Sequence, residues 1–174
     1  DELEIRLDEL ARHAMGDTPV NLSSPDDRSV LLYSRRVKDK KAWSGVFNLG
    51  HEMRGNTMKP KMRTRMKRGE FKSAVKNMTE VVYKTRGSRC AGCVGFGKVR
   101  PVNKNGKPSK ILRVCKPCGG AGVIYMPTRE VAGFKLLPRD PMDTAAAGFK
   151  TDRTTLENRR AELSGDALEF VTAY

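Results

Sequence analysis

The sequence predicts an α+β chain in which helical stretches at both ends flank a small β module. Three observations lead there. Apolar residues recur at helical spacing near each end, four short β-type runs fall between residues 79 and 127, and all four cysteines lie among those runs. A chain of 174 residues suits one ordinary domain, or one carrying a smaller insert. With 38% hydrophobic, 6% aromatic and 31% charged residues, its core must be small. No apolar run approaches the roughly 18 residues of a membrane helix. The start DELEIRLDEL is unlike a signal peptide, so the expectation is a cytoplasmic or equally reducing setting without a membrane partner.

Along residues 3–15, Leu3, Leu7, Leu10, Ala11 and Ala14 form the apolar face of an amphipathic helix that stops at Gly16. In PVNLSSPDDRSVLLYSRR, Ser24 can cap a second helix, Pro25 suits its first position, and Asp26 and Asp27 sit near the positive end of its dipole. That helix should bury Val30, Leu31 and Tyr33. From Val37 to Lys72 the periodicity dissolves, and MKPKMRTRMKRG at 58–69 reads as a mobile basic arm, Pro60 arguing against a helix. The pair Trp43 and Phe47 at i, i+4 favours a core role over base stacking. The runs TEVVYKTR, GKVRPV, KILRV and GVIYMP follow, with Asn105-Gly106 as the strongest hairpin signal. KLLPRDPMDTAAAGF reads as a connector. At the end, Thr151 or Asp152 can cap a helix bearing Leu156 and Leu163, and Leu168, Val171 and Tyr174 recur by threes. The run stops at Tyr174 without a helix-stop signal, so a piece of a longer protein is expected. The implied boundaries are a helical part over 1–36 and 149–174, a basic arm and linker over 37–79, a β module over 80–127 and a connector over 128–148.

Charge is unevenly distributed. Residues 1–30 carry 8 acidic and 3 basic side chains, whereas residues 31–120 carry 24 basic and 4 acidic, within a net charge of +14. Such a field favours a polyanionic partner, most simply the phosphate backbone of DNA or RNA. Candidate contacts are Arg63, Arg65, Lys67 and Arg68 in the arm, and Lys84, Arg86, Lys98, Arg100, Lys110 and Arg113 in the β module.

The cysteines occur as CAGCVGFG at 90–97 and CKPCGGAG at 115–122, two copies of C-x-x-C-x-G-x-G. Two residues between cysteines let both sulfurs face one metal, and the glycines let backbone N–H groups turn toward the thiolates. The 21 residues between Cys93 and Cys115 lie just beyond the usual zinc-ribbon interval, and a hairpin between them would bring the ends together. Cys90, Cys93, Cys115 and Cys118 thus predict one structural Zn²⁺ with no open coordination position. A disulfide framework is disfavoured by a reducing setting, and a redox pair by the lack of a βαβ pattern. The β module is therefore expected to be zinc-ribbon-like.

The repeated cysteine motif resembles the zinc region of DnaJ-type co-chaperones. That family carries four copies and two zincs; this chain has two copies and no His-Pro-Asp tripeptide, so no J-domain is implied. The flanks resemble the thumb of family A, phage-like DNA polymerases. Val20-Asn21-Leu22-Ser23-Ser24 stands where that family has a phenylalanine-asparagine-leucine-serine turn, and FKTDRTTLENRRAELSGDALEFVTAY at 149–174 is similar to the thumb stretch that follows. The departure is that residues 37–148 intervene where the family has a short tip loop. The resemblance implies that Asn21 and Ser24 touch the DNA backbone and that the zinc module is a thumb insertion. The palm carboxylates would lie outside the chain, so no enzymatic activity is expected of it. His13 and His51 belong to no catalytic motif, and surface or cap roles are expected for both. Two other classes remain open: a zinc-hairpin module that binds a replication or chaperone protein, and a thiol-disulfide catalyst using Cys90-Cys93 or Cys115-Cys118.

Overall fold

The computed structural model describes residues 1–47, 51–60, 66–139, 141–145 and 147–174, with backbone alone at 51–54, 58–60 and 142. Helix α1, Glu2–Met15, starts where the Asp1 carboxylate accepts the Leu3 N–H, and ends as Gly16 donates to the Arg12 carbonyl. It buries Leu7, Leu10, Ala11, Ala14 and Met15; Leu3, in the first turn, stays half exposed and so falls outside the expected apolar face. Helix α2, Pro25–Tyr33, has Ser24 as its cap, the Ser24 hydroxyl accepting the Asp27 N–H at 3.4 Å. Ser29 through Tyr33 are all buried.

The stretch read as an arm is largely ordered into elements. Strand β1, Arg35–Val37, leads to α3, Lys40–Val46, capped by Asp39. The antiparallel pair β2, His51–Arg54, and β3, Thr57–Pro60, follows, then α4, Arg68–Met78. Strand β4, Thr79–Val81, pairs antiparallel with β1. The reason is aromatic packing. Phe71 and Val75 of α4 and Trp43 of α3 are buried, with Phe47 just after it. Residues 61–65, the centre of the expected mobile arm, lie outside the described residues.

Next come β5, Tyr83–Arg89; β6, Lys98–Val99; β7, Arg113–Val114; and β8, Val123–Val131. Strand β5 pairs with β8 and β6 with β7, both antiparallel, making a two-stranded stalk that carries a short hairpin. Asn105-Gly106 lies in the turn closing that hairpin, where the Gly106 N–H donates to the Asn103 carbonyl. Beyond the stalk, β9, Thr144–Ala145, and β10, Gly148–Phe149, form another small antiparallel pair within the expected connector. Helix α5, Arg153–Asn158, is capped by Asp152, whose carboxylate accepts the Thr155 N–H at 3.0 Å. It ends earlier than expected. The buried Arg159 turns inward to ion-pair with Asp143 and Glu162, and the chain continues as a 3-10 turn over Arg160–Glu162. Helix α6, Gly165–Ala173, buries Phe170 and Val171, whereas Tyr174 remains partly exposed.

The class is thus α+β, with one main core. Tyr33 stacks on Phe149 at 4.6 Å between ring centres, Phe149 meets Trp43 edge-on at 5.3 Å, Trp43 packs on Phe47 at 4.4 Å, and Phe47 meets Phe71 at 5.7 Å. These rings link α2, β10, α3 and α4, and the Trp43 indole N–H donates to the Ala145 carbonyl. Across the other side, Arg6 of α1 donates to Glu169 of α6 from Nε and Nη2, at 2.6 and 3.0 Å, and His13 lies 2.7 Å from Asp166. Both ends of the sequence therefore pack into one body.

The stalk is fixed to this body at two places. Asp17 and Thr18 run beside β5, the Asp17 N–H donating to the Thr85 carbonyl and the Asp17 carboxylate accepting from Gly87. On leaving β8, the chain passes under α2 and satisfies its final carbonyls: Phe134 N–H donates to Leu31 and Leu136 N–H to Leu32. Gly133 makes this approach possible. At φ 77 a Cβ there would stand 2.5 Å from the Leu31 carbonyl oxygen and 2.8 Å from Ser34 Oγ.

Gly133→Ala should therefore lower stability by at least about 2 kcal/mol, combining left-handed strain with a backbone clash. Gly45→Ala, within α3 and with open space around its Cβ position, should instead gain about 0.5 kcal/mol. Thermal unfolding checks both: the first should melt several degrees lower and the second no lower than the parent.

Candidate metal centre

The tip of the stalk has almost no apolar core. Its buried cluster consists of Cys90, Cys93 and Cys115, with Cys118, Val99 and Ile124 packed around them. The four sulfurs lie within 4.8 Å of one another, Cys90 to Cys115 at 3.8 Å and Cys93 to Cys118 at 3.7 Å. A tetrahedral ion with metal–sulfur bonds of about 2.3 Å requires sulfurs about 3.8 Å apart. The Cys90–Cys115 and Cys93–Cys118 pairs meet that separation, and the four sulfurs together are close enough to hold one metal ion.

The two knuckles share one backbone plan related by a local pseudo-twofold. Gly97 N–H donates to Cys93 Sγ at 3.1 Å, and Gly122 N–H to Cys118 Sγ at 3.3 Å. Each knuckle also holds the other: Cys90 N–H donates to the Gly122 carbonyl and Cys115 N–H to the Gly97 carbonyl, both at 2.9 Å. Such N–H groups stabilise negative sulfur. Burial pushes the Cys115 thiol up to about 12. Burial acts in the same direction on Cys118, but the backbone N–H groups of Gly122 and Gly120 outweigh it and bring that thiol down to about 7. A thiolate is thus favoured at Cys118 and disfavoured at Cys115 as long as no cation lies between them.

The glycines permit the two loops to touch. A Cβ on Gly97 would run into the Gly120 carbonyl oxygen, and one on Gly122 into that of Gly95. Corresponding positions keep corresponding conformations. Val94 has φ 52 where its counterpart Gly119 has φ 59, so a β-branched residue occupies left-handed backbone in the first knuckle only.

The cations predicted to meet a polyanion fall into several groups. Arg86, Lys98, Arg100, Lys110 and Arg113 are all exposed on the stalk and hairpin. Lys84 is only partly exposed and pairs with Glu130 at 2.9 Å, which holds the Glu130 carboxyl below its usual range. Lys67 and Arg68 are exposed at the start of α4, away from the ribbon in sequence, and the Lys67 N–H donates to Glu70. Arg63 and Arg65 lie outside the described residues. Asn21 and Ser24 have local work: Asn21 Oδ1 accepts the Ser23 N–H and Ser24 caps α2. Two residues escaped the sequence reading, the strained Val94 and Phe96, which is 80% exposed. Comparing the knuckles position by position would have revealed both, since their counterparts are Gly119 and Ala121.

Among the described residues, no helix is long and apolar enough to cross a membrane. Protein-family models, curated proteins and solved structures were each compared with the chain, and none matches it.

Val94→Gly should strengthen the metal-loaded module by about 1 kcal/mol through relief of left-handed strain. Gly97→Ala should weaken it by more, because its Cβ meets backbone. Chelator competition decides: half-removal of the ion should need more chelator for the first variant and less for the second.

Proposed function

We propose that the chain is a nucleic-acid-binding element in which one structural Zn²⁺ holds a basic ribbon rigid against the phosphate backbone, DNA being the main partner. The observation that carries this reading is the charge of the ribbon. Residues 83–131 contain eleven lysines and arginines and a single carboxylate, Glu130, which is already paired with Lys84. Ten of the eleven cations are exposed and face no competing acid within the ribbon.

Zinc suits four thiolates in a closed tetrahedral site, and such a site leaves no position for catalysis. Its work is structural: it replaces the apolar core that the ribbon lacks. Contacts from lysine and arginine to phosphate would be independent of base sequence and would gain free energy from counterion release. The thumb likeness of residues 19–36 and 149–174 makes a family A, phage-like DNA polymerase the preferred parent, with the ribbon as an insertion that retains the template during replication. In that setting the chain contributes grip and no chemistry.

A zinc-hairpin module for a protein partner is the second reading, favoured by the exposed aliphatic side chains of Ile111 and Leu112. Association that survives nuclease treatment would support it.

The leading reading predicts a steep salt dependence. If about five phosphates are neutralised, DNA affinity should fall roughly 500-fold between 50 and 200 mM salt. Replacing Arg100, Lys110 and Arg113 together by alanine should flatten the slope by up to about three in log–log form. Polarisation titrations measure both, and metal analysis should return about one zinc per chain. A salt-independent affinity would overturn the mechanism.

A further inference from the structure

Five of the six phenylalanines belong to the body: Phe47, Phe71, Phe149 and Phe170 are buried in its core, and Phe134 packs against it. The sixth, Phe96, is 80% exposed on the first knuckle. In a chain so poor in aromatic residues, this placement requires a reason other than packing.

The second knuckle serves as an internal control. With Gly119 and Ala121 where the first has Val94 and Phe96, it keeps the same left-handed positions and the bonds that serve the sulfurs: Ala121 N–H donates to the Cys118 carbonyl as Phe96 N–H does to that of Cys93, and Gly122 N–H to Cys118 Sγ as Gly97 N–H does to Cys93 Sγ. Formation of the metal centre therefore requires neither the valine nor the ring. Val94 even adds strain, at φ 52, and Arg89 holds that turn by donating from Nε to the Val94 carbonyl at 2.7 Å. Local strain and an exposed ring on a rigid support are features of binding sites.

The surroundings define the ligand. Lys98 and Arg100 follow the ring in sequence, and Arg113 and Lys116 lie on the facing strand and second knuckle; all four are exposed. A partner must offer a flat apolar face and closely spaced negative charge together. A duplex offers phosphates, but its base faces are hidden unless a step is opened at a cost of a few kcal/mol. Single-stranded nucleic acid offers both without that cost, and base–aromatic stacking tolerates any sequence.

We propose that Phe96 is a base-stacking platform and that the ribbon tip binds single-stranded nucleic acid, the flanking cations holding its phosphates. This deepens the nucleic-acid reading above and rests on it.

The test compares a labelled oligothymidine with a hairpin duplex of equal phosphate number, using the zinc-loaded chain. The chain should favour the single strand. Phe96→Ala should weaken single-strand binding about tenfold or more and change duplex binding by less than about twofold, and Phe96→Trp should restore single-strand binding. Zinc content and chelator resistance should match the parent. If Phe96→Ala loses its ion, Phe96→Leu decides, because it remains apolar but has no ring: loss of single-strand affinity supports the proposal and retention overturns it.

Equal binding by Phe96→Ala and the parent overturns the stacking role while leaving the electrostatic grip intact. Equal losses on both oligonucleotides also overturn it. Polyglutamate bound as tightly as the single strand, with the same sensitivity to Phe96→Ala, would indicate an acidic protein surface and overturn it too. Failure of the parent chain to bind either oligonucleotide removes the nucleic-acid reading itself, and this proposal with it.

Discussion

The ribbon depends on four sulfurs meeting at one point. Its buried cluster comprises three cysteines, with a fourth, a valine and an isoleucine around them, far less apolar surface than a free-standing β unit needs. Bringing four thiols together is itself unfavourable once they ionise, so only a cation makes the arrangement a source of stability. The glycines serve that meeting. They let two loops approach within backbone contact and aim N–H groups at Cys93 and Cys118. The reciprocal bonds from Cys90 and Cys115 then tie each knuckle to the other.

The body is held by a different principle. Aromatic rings from Tyr33, Phe149, Trp43, Phe47 and Phe71 form a continuous run across four elements, and burial of such rings dominates core energetics. The joint between body and ribbon uses no thiolate; Ala132 and Leu136 are buried there, and Phe134 packs on Phe170 at 5.4 Å between ring centres. The joint's hydrogen bonds run from residues 17–18 to β5, through the backbone and the Asp17 and Thr85 side chains, and from residues 133–136 to the end of α2. The bonds from Phe134 and Leu136 fill the carbonyls that a helix end leaves open, so the joint also completes α2. A ribbon stiffened at its tip and anchored at its base can present charged side chains in fixed register.

Local signals explain the legible half of the fold. Ser24 with Pro25, Asp152 and Gly16 mark helix ends through groups within a few residues of one another, and each marks the boundary found. The cysteine spacing likewise encloses its own geometry. The segment from Val37 to Lys72 failed to read because its short helices have no long periodic face. Trp43 becomes core only when Phe149, remote in sequence, packs edge-on against it, and Phe71 only through Phe47. Arg159 is another case: a charged residue in a helical pattern ends α5 where it turns in to the buried Asp143, with Glu162 pairing with it from the surface.

From the sequence alone came the α+β class, the helix ends at Gly16, Ser24 and Asp152, the cationic bias of residues 31–120 and the convergence of four cysteines within reach of one ion. Each is a property of composition or of neighbours along the chain. Tertiary structure decided which cations remain unpaired, that Lys84 is occupied by Glu130, that Asn21 and Ser24 bond locally, and that Phe96 alone among the phenylalanines faces outward. Those outcomes turn on exposure and on partners remote in sequence, which linear order cannot encode without the packing that brings them together.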